Sequence, residues 1–448
     1  MTTSAFTYSQ PLAPRRQGVS VHFVVGTLWL WYWLSNSYVW IGDTIPFFDY
    51  YVVVALFLIY ISLARPVQVI QFMTRPGIWL WVITVIVPAI MYFSLDRPSS
   101  FNYVELRTRI TFLSIVGGTA LVLNDPDGGR ILRRAAGLAL LMAILVNFSE
   151  IFVTNPYNRV TTGGRSAGFY GDANISAHAI GAILLLSVDI TKQSRRGLVI
   201  VGFALLGILI TLSRSGIAWG AVLGFGYLFF PRGRDTLPFG SRLAVAWAGL
   251  FAAVLIVSFA VIVLDFDTRE SWRLRSMLTL DIRDDSSQGR IDRLLHGIEQ
   301  MQRDLWTGRG PGESRSHDLV AHNTYVTVGY EYGLIGAAIF GGLIGWGWIK
   351  LLAHSWRRAA TYGMLSTQLA FFSMFDHTMF SHPVIATILG IFLSNAALSD
   401  PEEEHDPGAS ERPPMPPHFE ALLDPSGVQQ ANGPRPALQI SGSKPAII

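Results

Sequence analysis

Three side chains in this sequence combine a residue type and a position suited to handling an anionic group: Arg214, Arg290 and His322. Arg214 lies in Thr211-Leu212-Ser213-Arg214-Ser215-Gly216 between two short apolar runs. A helix of about 15 residues reaches roughly 22 Å, short of a hydrocarbon core, so Arg214 is drawn below the membrane surface. An arginine placed there is costly unless it pairs or meets water. A helix starting at Ser213 or Ser215 adds free amide groups as a second attraction for an anion; the competing reading is a snorkelling arginine at a hairpin tip. Arg290 and Arg293 lie in Gln288-Gly289-Arg290-Ile291-Asp292-Arg293-Leu294-Leu295-His296-Gly297-Ile298. There Leu294, Leu295 and Ile298 form the apolar stripe of a short amphipathic helix lying on a membrane surface, with Arg290 near its start. An arginine at a helix start opposes the dipole and calls for a counter-anion or ligand, although a solvated loop charge accounts for it as well. His322 opens His322-Asn323-Thr324-Tyr325 at the head of an apolar segment. The positive end of that helix and the nearby arginines favour a neutral ring, the form that can accept a proton, whereas a lone histidine also reads as a cap or packing residue.

The elements that position these residues are membrane helices. Half of the 448 residues are apolar, 15% are charged and the mean hydropathy is +0.38, with charges clustered between apolar runs. That pattern excludes an ordinary soluble domain and indicates an all-α polytopic membrane protein of about 12 transmembrane helices. The absence of cysteine excludes disulfides, thiol catalysis and Cys-ligated metals. The net charge of +3 is small, and with the arginines in loops it speaks of topology and not of nucleic acid.

Residues 1–18 read as a cytoplasmic N-terminus, 19–264 as helices one to nine, 265–325 as one large outer loop, 326–398 as helices ten to twelve, and 399–448 as a cytoplasmic tail. No cleavage site follows the first apolar run, which therefore stays as a membrane helix with its Trp and Tyr residues anchoring at the interface. Basic residues concentrate in alternate short connections (Arg130, Arg133 and Arg134; Lys192, Arg195 and Arg196; Lys350, Arg357 and Arg358), which places those inside. The other short connections carry fewer, Arg107, Arg109 and Arg165 among them. The long loop then faces outward, since long loops are exempt from the charge rule. The tail, with Pro413-Pro414-Met415-Pro416-Pro417, buries too little apolar surface to fold. No metal-ligand spacing is present; Asp281, Asp284 and Asp285 read as solvated carboxylates. Glu150, Asp189 and Glu331 lie near helix ends and suit interhelical or interfacial contacts, and His377 and His382 beside Asp376 suit packing, with a paired role in acceptor binding as the alternative.

Together with Arg165-Ser166-Ala167-Gly168-Phe169-Tyr170-Gly171-Asp172-Ala173-Asn174, Gly308-Arg309-Gly310-Pro311-Gly312 and Glu331-Tyr332-Gly333-Leu334-Ile335-Gly336, the ordered motifs resemble the O-antigen ligase and Wzy-type polymerase superfamily. The resemblance implies a GT-C-like glycosyltransferase of the bacterial inner membrane, working on the periplasmic side with an undecaprenyl-diphosphate-linked glycan as donor. It implies that Arg214 and Arg290 bind the donor diphosphate and that His322 deprotonates the acceptor hydroxyl. Arg165, Asn174, Ser213, Ser215, Arg293, Asn323 and Tyr325 are further candidates for contact with substrate, with a structural turn an equal reading for Arg165 and Asn174. Family members often carry a Trp shortly after the Gly-Arg and an Asp-His-Pro-like turn later; Leu294 and Asp304-Leu305-Trp306 stand here instead. The acceptor is lipid A core for a ligase, a second lipid-linked repeat for a polymerase. No cofactor is expected, since two guanidinium groups can take the charge of a diphosphate leaving group. A lipid-linked oligosaccharide transporter would want charges along a path across the bilayer, and a structural scaffold leaves Arg214 unexplained.

Overall fold

The computed structural model describes residues 20–45, 50–74, 76–94, 99–153, 165–229, 240–241, 285–316, 321–354, 356–376 and 382–394. Among them the chain is helical throughout, without strands. The helices are α1 (Val21–Leu34), α2 (Tyr38–Thr44), α3 (Tyr50–Ala64), α4 (Pro66–Met73), α5 (Pro76–Ser94), α6 (Ser100–Leu123), α7 (Gly128–Ser149), α8 (Ala173–Ser187), α9 (Arg195–Ile210) and α10 (Arg214–Phe229). After residues outside the described set come α11 (Asp285–Arg303), α12 (Glu313–Ser316), α13 (Thr324–Ala353), α14 (Trp356–Ser373) and α15 (Pro383–Leu393). Helix α8 is central, buried along nearly its whole length between α7, α9, α10 and α14. Helix α6 packs on α5 and α15, α1 on α7, and α11 and α12 on α13.

Three described helices, α6, α7 and α13, are long and apolar enough to cross a membrane, and α3 with α4 makes a fourth if that pair, bent by 105°, is one span. The exposed faces of these helices carry Leu56, Ile59, Leu138, Leu141 and Leu145, as lipid-facing surfaces require. The expected ninth span, 242–264, the first part of the expected outer loop, 265–284, and the tail lie outside the described residues.

Several sequence expectations need correction. The first apolar run is two helices, because Ser35-Asn36-Ser37 offers the backbone other hydrogen bonds. Ser35 donates to the Trp31 carbonyl at 2.6 Å, Asn36 adopts φ 58°, and its amide donates to the Phe169 carbonyl at 2.6 Å. Its aromatic residues are not all at an interface: Trp29, Tyr32 and Trp33 are buried, with Trp29 stacked on Phe57 at 3.8 Å. Arg107 and Arg109 are not in a loop either. The Ser99 and Asn102 capping box starts α6 well upstream of its apolar part. Arg109 is buried within it, paired with Glu105 at 2.6 Å.

Helix α13 is broken at Gly333, where φ is 65° and ψ is −168°. The segment 304–312 fills the break. The Arg309 amide donates to the Tyr330 carbonyl (3.0 Å), the Gly310 amide to the Glu331 carbonyl (2.9 Å), and the Leu334 amide to the Leu305 carbonyl (2.7 Å). Backbone groups freed by the break are thus satisfied by protein, which is the condition for irregular backbone inside a membrane bundle. A Cβ on Gly333 would strike the Trp306 carbonyl and force a side chain into positive φ. Gly333→Ala is therefore expected to destabilise the fold by about 2 kcal/mol or more. The check is a lower thermal unfolding midpoint in detergent, with neighbouring Gly341→Ala, whose Cβ meets open space, as the neutral control.

Candidate functional site

The expected site residues fall into two groups at helix starts. The first surrounds the turn between α9 and α10. Helix α10 begins at Arg214, with Ser213 in front of it accepting from the Gly216 amide at 3.1 Å. Ser213 is thus the N-cap and Arg214 the first helical residue. The turn forces Leu212 to φ 49°, a conformation that is costly for a branched side chain. It is held there by neighbours. Arg165 donates from Nε to the Thr211 carbonyl (3.3 Å) and from Nη2 to Asn174 Oδ1 (3.1 Å). Ser213 Oγ donates to the same Asn174 oxygen at 2.8 Å. Both lone pairs of the Asn174 oxygen are therefore used, one by each side of the turn.

Asn174 is itself fixed in the first turn of α8, its amide donating to Asp172 Oδ1 at 2.7 Å. Arg165, Asn174 and Ser213 are thus parts of one hydrogen-bonded brace, while Arg214 projects exposed above it. Ser215 extends the brace to His178, a residue the sequence reading passed over, whose Nε2 lies 3.2 Å from Ser215 Oγ. The signal was present: His178 is four residues from Asn174, hence on the same face of a helix.

The second group joins α11 to the start of α13. Helix α11 begins at Asp285, earlier than expected, so Arg290 sits in its second turn and the dipole argument for a counter-anion there loses force. Arg290 is exposed. One turn on, Arg293 Nη1 lies 3.3 Å from His322 Nε2. A guanidinium only donates, so the imidazole nitrogen is the acceptor in this bond. Asn323 caps α13, accepting from the Val326 amide at 3.2 Å, and its amide reaches the Met374 carbonyl at 3.5 Å. Thr324 donates to the Asp376 carbonyl (2.5 Å) and Tyr325 to the Ala370 carbonyl (3.0 Å). Asn323 and Tyr325 therefore tie the His322 segment to the end of α14.

The same end of α14 carries the first group. Phe372 packs on His178 with ring centroids 4.8 Å apart, and Phe371 stacks on Trp219 of α10 at 5.8 Å. Both groups are thus built against the last turn of α14 and the turn that follows it, residues 370–376.

Beside them lies a buried charged cluster that sequence reading missed. Glu105 pairs with Arg109 and, at 3.8 Å, with Arg315; Arg109 sits over the Tyr332 ring; Ser314 donates to Glu331 Oε1 at 2.5 Å. Glu331 makes an interelement contact, as expected. Glu150 accepts from the Ala167 amide at 2.7 Å, and Asp189 accepts locally from Thr191. Arg309 is held above its ordinary range first by its hydrogen bond to Asp304, at 2.8 Å. His382 is half-buried; His377, Asp281 and Asp284 lie outside the described residues.

Residues 198–341 match the family model for O-antigen ligase. The matched stretch runs from α9 into α13 and includes Ser213, Arg214, Ser215, Arg290, Arg293, His322, Asn323 and Tyr325, but neither Arg165 nor Asn174. The match supports the resemblance to the O-antigen ligase and Wzy-type superfamily drawn from the motifs. The match and the apolar helices together support a multi-pass membrane protein with a ligase- or polymerase-type role in assembling glycans. No curated protein matches the chain.

If Asn174 is the keystone of the α9–α10 turn, Asn174→Ala leaves Arg165 and the Ser213 hydroxyl without their shared acceptor, at a cost of about 1–3 kcal/mol. Hydrogen exchange at the amides of 211–216 is then faster, and Asn174→Asp, which restores the acceptor, slows it again.

Proposed function

We propose that this protein is a periplasm-facing glycosyltransferase of the bacterial inner membrane. In this reading it moves a glycan from an undecaprenyl-diphosphate donor to a hydroxyl of lipid A core, as an O-antigen ligase does. Arg214 and Arg290 hold the diphosphate, and His322 takes the proton of the attacking hydroxyl. The observation that carries the reading is the 3.3 Å contact between Arg293 and His322, within the family-matched segment. It ties the arginine-bearing helix directly to the one histidine placed at the start of α13.

The chemistry follows from these residue types. As the bond between the anomeric carbon and the diphosphate breaks, negative charge gathers on the leaving oxygens. Guanidinium groups meet it with paired, charge-assisted hydrogen bonds, so no metal is required in this scheme. The positive end of the α10 dipole adds to the attraction. His322 Nε2 has its lone pair directed at Arg293, and a phosphate oxygen that draws Arg293 away leaves that lone pair for the acceptor hydroxyl. Attack from the face opposite the diphosphate inverts the anomeric configuration. Ile291 and Leu295, exposed on α11, suit a helix resting on the membrane surface beside a lipid-borne donor.

The test is transfer by purified protein supplied with lipid-linked repeats and lipid A core. Arg214→Ala, Arg290→Ala and His322→Ala are each expected to insert and fold normally yet lose about a hundredfold or more in transfer. Arg290→Lys, which keeps charge but not the paired geometry, recovers only part of it. Full activity in any variant removes that residue from the site, product NMR showing retained configuration removes the inverting scheme, and chain growth without lipid A core makes the protein a polymerase.

A further inference from the structure

A cavity of about 330 Å³ opens between α11 and the first part of α13, lined by His296, Gln300 and Arg303 on one side and Thr327 and Tyr330 on the other, with Arg309 and Ser314 at its end. It belongs to neither group of site residues described above. Its position follows from the period of α11. Arg293, which touches His322, is followed on the same helical face by His296 and Gly297 and then by Gln300. The cavity therefore begins about one turn, some 5 Å, beyond the Arg293–His322 contact, and Gln300 lies about 10 Å beyond it. Arg290 is one turn away in the opposite direction. Along one rigid helix the order is thus Arg290, then Arg293 with His322, then the cavity.

The lining is that of a sugar site. Polar side chains make up most of it, and Tyr330, with the Arg309 guanidinium over its ring, adds an aromatic wall. Its two arginines already have carboxylate partners: Arg309 holds Asp304 at 2.8 Å and Arg303 holds Glu299 at 3.1 Å. Those carboxylates offset part of the cavity's positive charge, which tilts it toward neutral hydroxyls over a phosphate. The walls are fixed, since Gly297 lets α11 approach so closely that a Cβ there would press on Val326 and Ala321.

We infer that this cavity is the acceptor subsite, binding the neutral sugar whose hydroxyl is presented to His322, while the donor diphosphate lies on the Arg290 side. The inference rests on the transferase reading for the role of the bound sugar, though not for the binding itself. Two measurements separate the two. The first is saturation-transfer NMR on the full-length protein in detergent, with core oligosaccharide released from lipopolysaccharide and, separately, with a single released glycan repeat as probes. Wild type should bind one of them, and Gln300→Trp, which fills the cavity, should abolish binding, while Arg290→Ala should retain it. Binding of neither probe, or binding unchanged in Gln300→Trp, overturns the subsite. This readout persists even if the protein transfers no glycan at all, in which case only the transferase reading falls.

The second measurement is steady-state transfer by Gln300→Leu, which removes the hydrogen-bonding end without filling the space. The acceptor KM should rise about three- to tenfold, the loss of a neutral hydrogen bond, with kcat and donor KM within twofold of wild type. A rise in donor KM instead, or weakened inhibition by inorganic pyrophosphate, places the donor in the cavity and overturns the assignment.

Discussion

The break in α13 at Gly333 is the constraint on which the rest of this region depends. A helix interrupted inside a bundle frees carbonyls on one side and an amide on the other, and each is expensive without a partner. The segment 304–312 supplies all three partners identified here, through the Arg309 and Gly310 amides and the Leu305 carbonyl. That requirement draws the end of α11 against α13. With α11 fixed at its end by the break and along its length by the close approach at Gly297, the Arg293 side chain is delivered to His322. The candidate base and the candidate anion site are therefore coupled through backbone hydrogen bonds some distance from either.

The buried charges explain how such an arrangement tolerates burial. Glu105 and Arg109 on α6, Arg315 on α12 and Glu331 at the break form one connected set, with Ser314 completing the shell of Glu331. A buried pair of this kind is weak as a source of stability but costly to break on one side. The 311–316 turn meets both carboxylates at once, Glu105 through Arg315 and Glu331 through Ser314. The Asn102 amide, donating to the Pro311 carbonyl at 2.6 Å, fixes the same turn from the start of α6.

What could be read from the sequence divides along physical lines. The helical character of the chain was legible from its apolar runs, and so was a helix start at Ser213 or Ser215, because N-cap chemistry is local and belongs to a few residue types. The break at Gly333 was not, since the apolar pattern continues through Leu334 and the partner that makes a break affordable lies some 25 residues upstream. The Glu105–Arg109 pair was hidden for a related reason. Its charges mimic a loop until the capping box at Ser99 is recognised as the true start of the helix. The split of the first apolar run at Ser35-Asn36-Ser37 was legible in principle, three adjacent residues whose side chains compete with the helix. Among the site residues, Arg165 and Asn174 were read equally as substrate contacts or as parts of a structural turn, and their hydrogen bonds to Thr211 and Ser213 agree with the turn.

The two groups of site residues are held by opposite devices on a shared support. Around Arg214, a strained Leu212 is locked by the hydrogen bonds that Arg165 donates to Thr211 and that Ser213 donates to Asn174; around His322, a broken helix is clamped by backbone hydrogen bonds. Strain of the first kind persists only where its surroundings over-determine it. Here the surroundings reach, through Ser215 and His178, to Phe372 of α14, and the His322 segment reaches the same helix through Tyr325, Thr324 and Asn323. Helix α14 carries none of the candidate reacting groups, yet it is the element against which both are registered. A shift of α14 along its axis moves both groups together, whereas a change in packing on one of its faces alone alters their spacing, and it is the spacing that a two-substrate transfer is sensitive to.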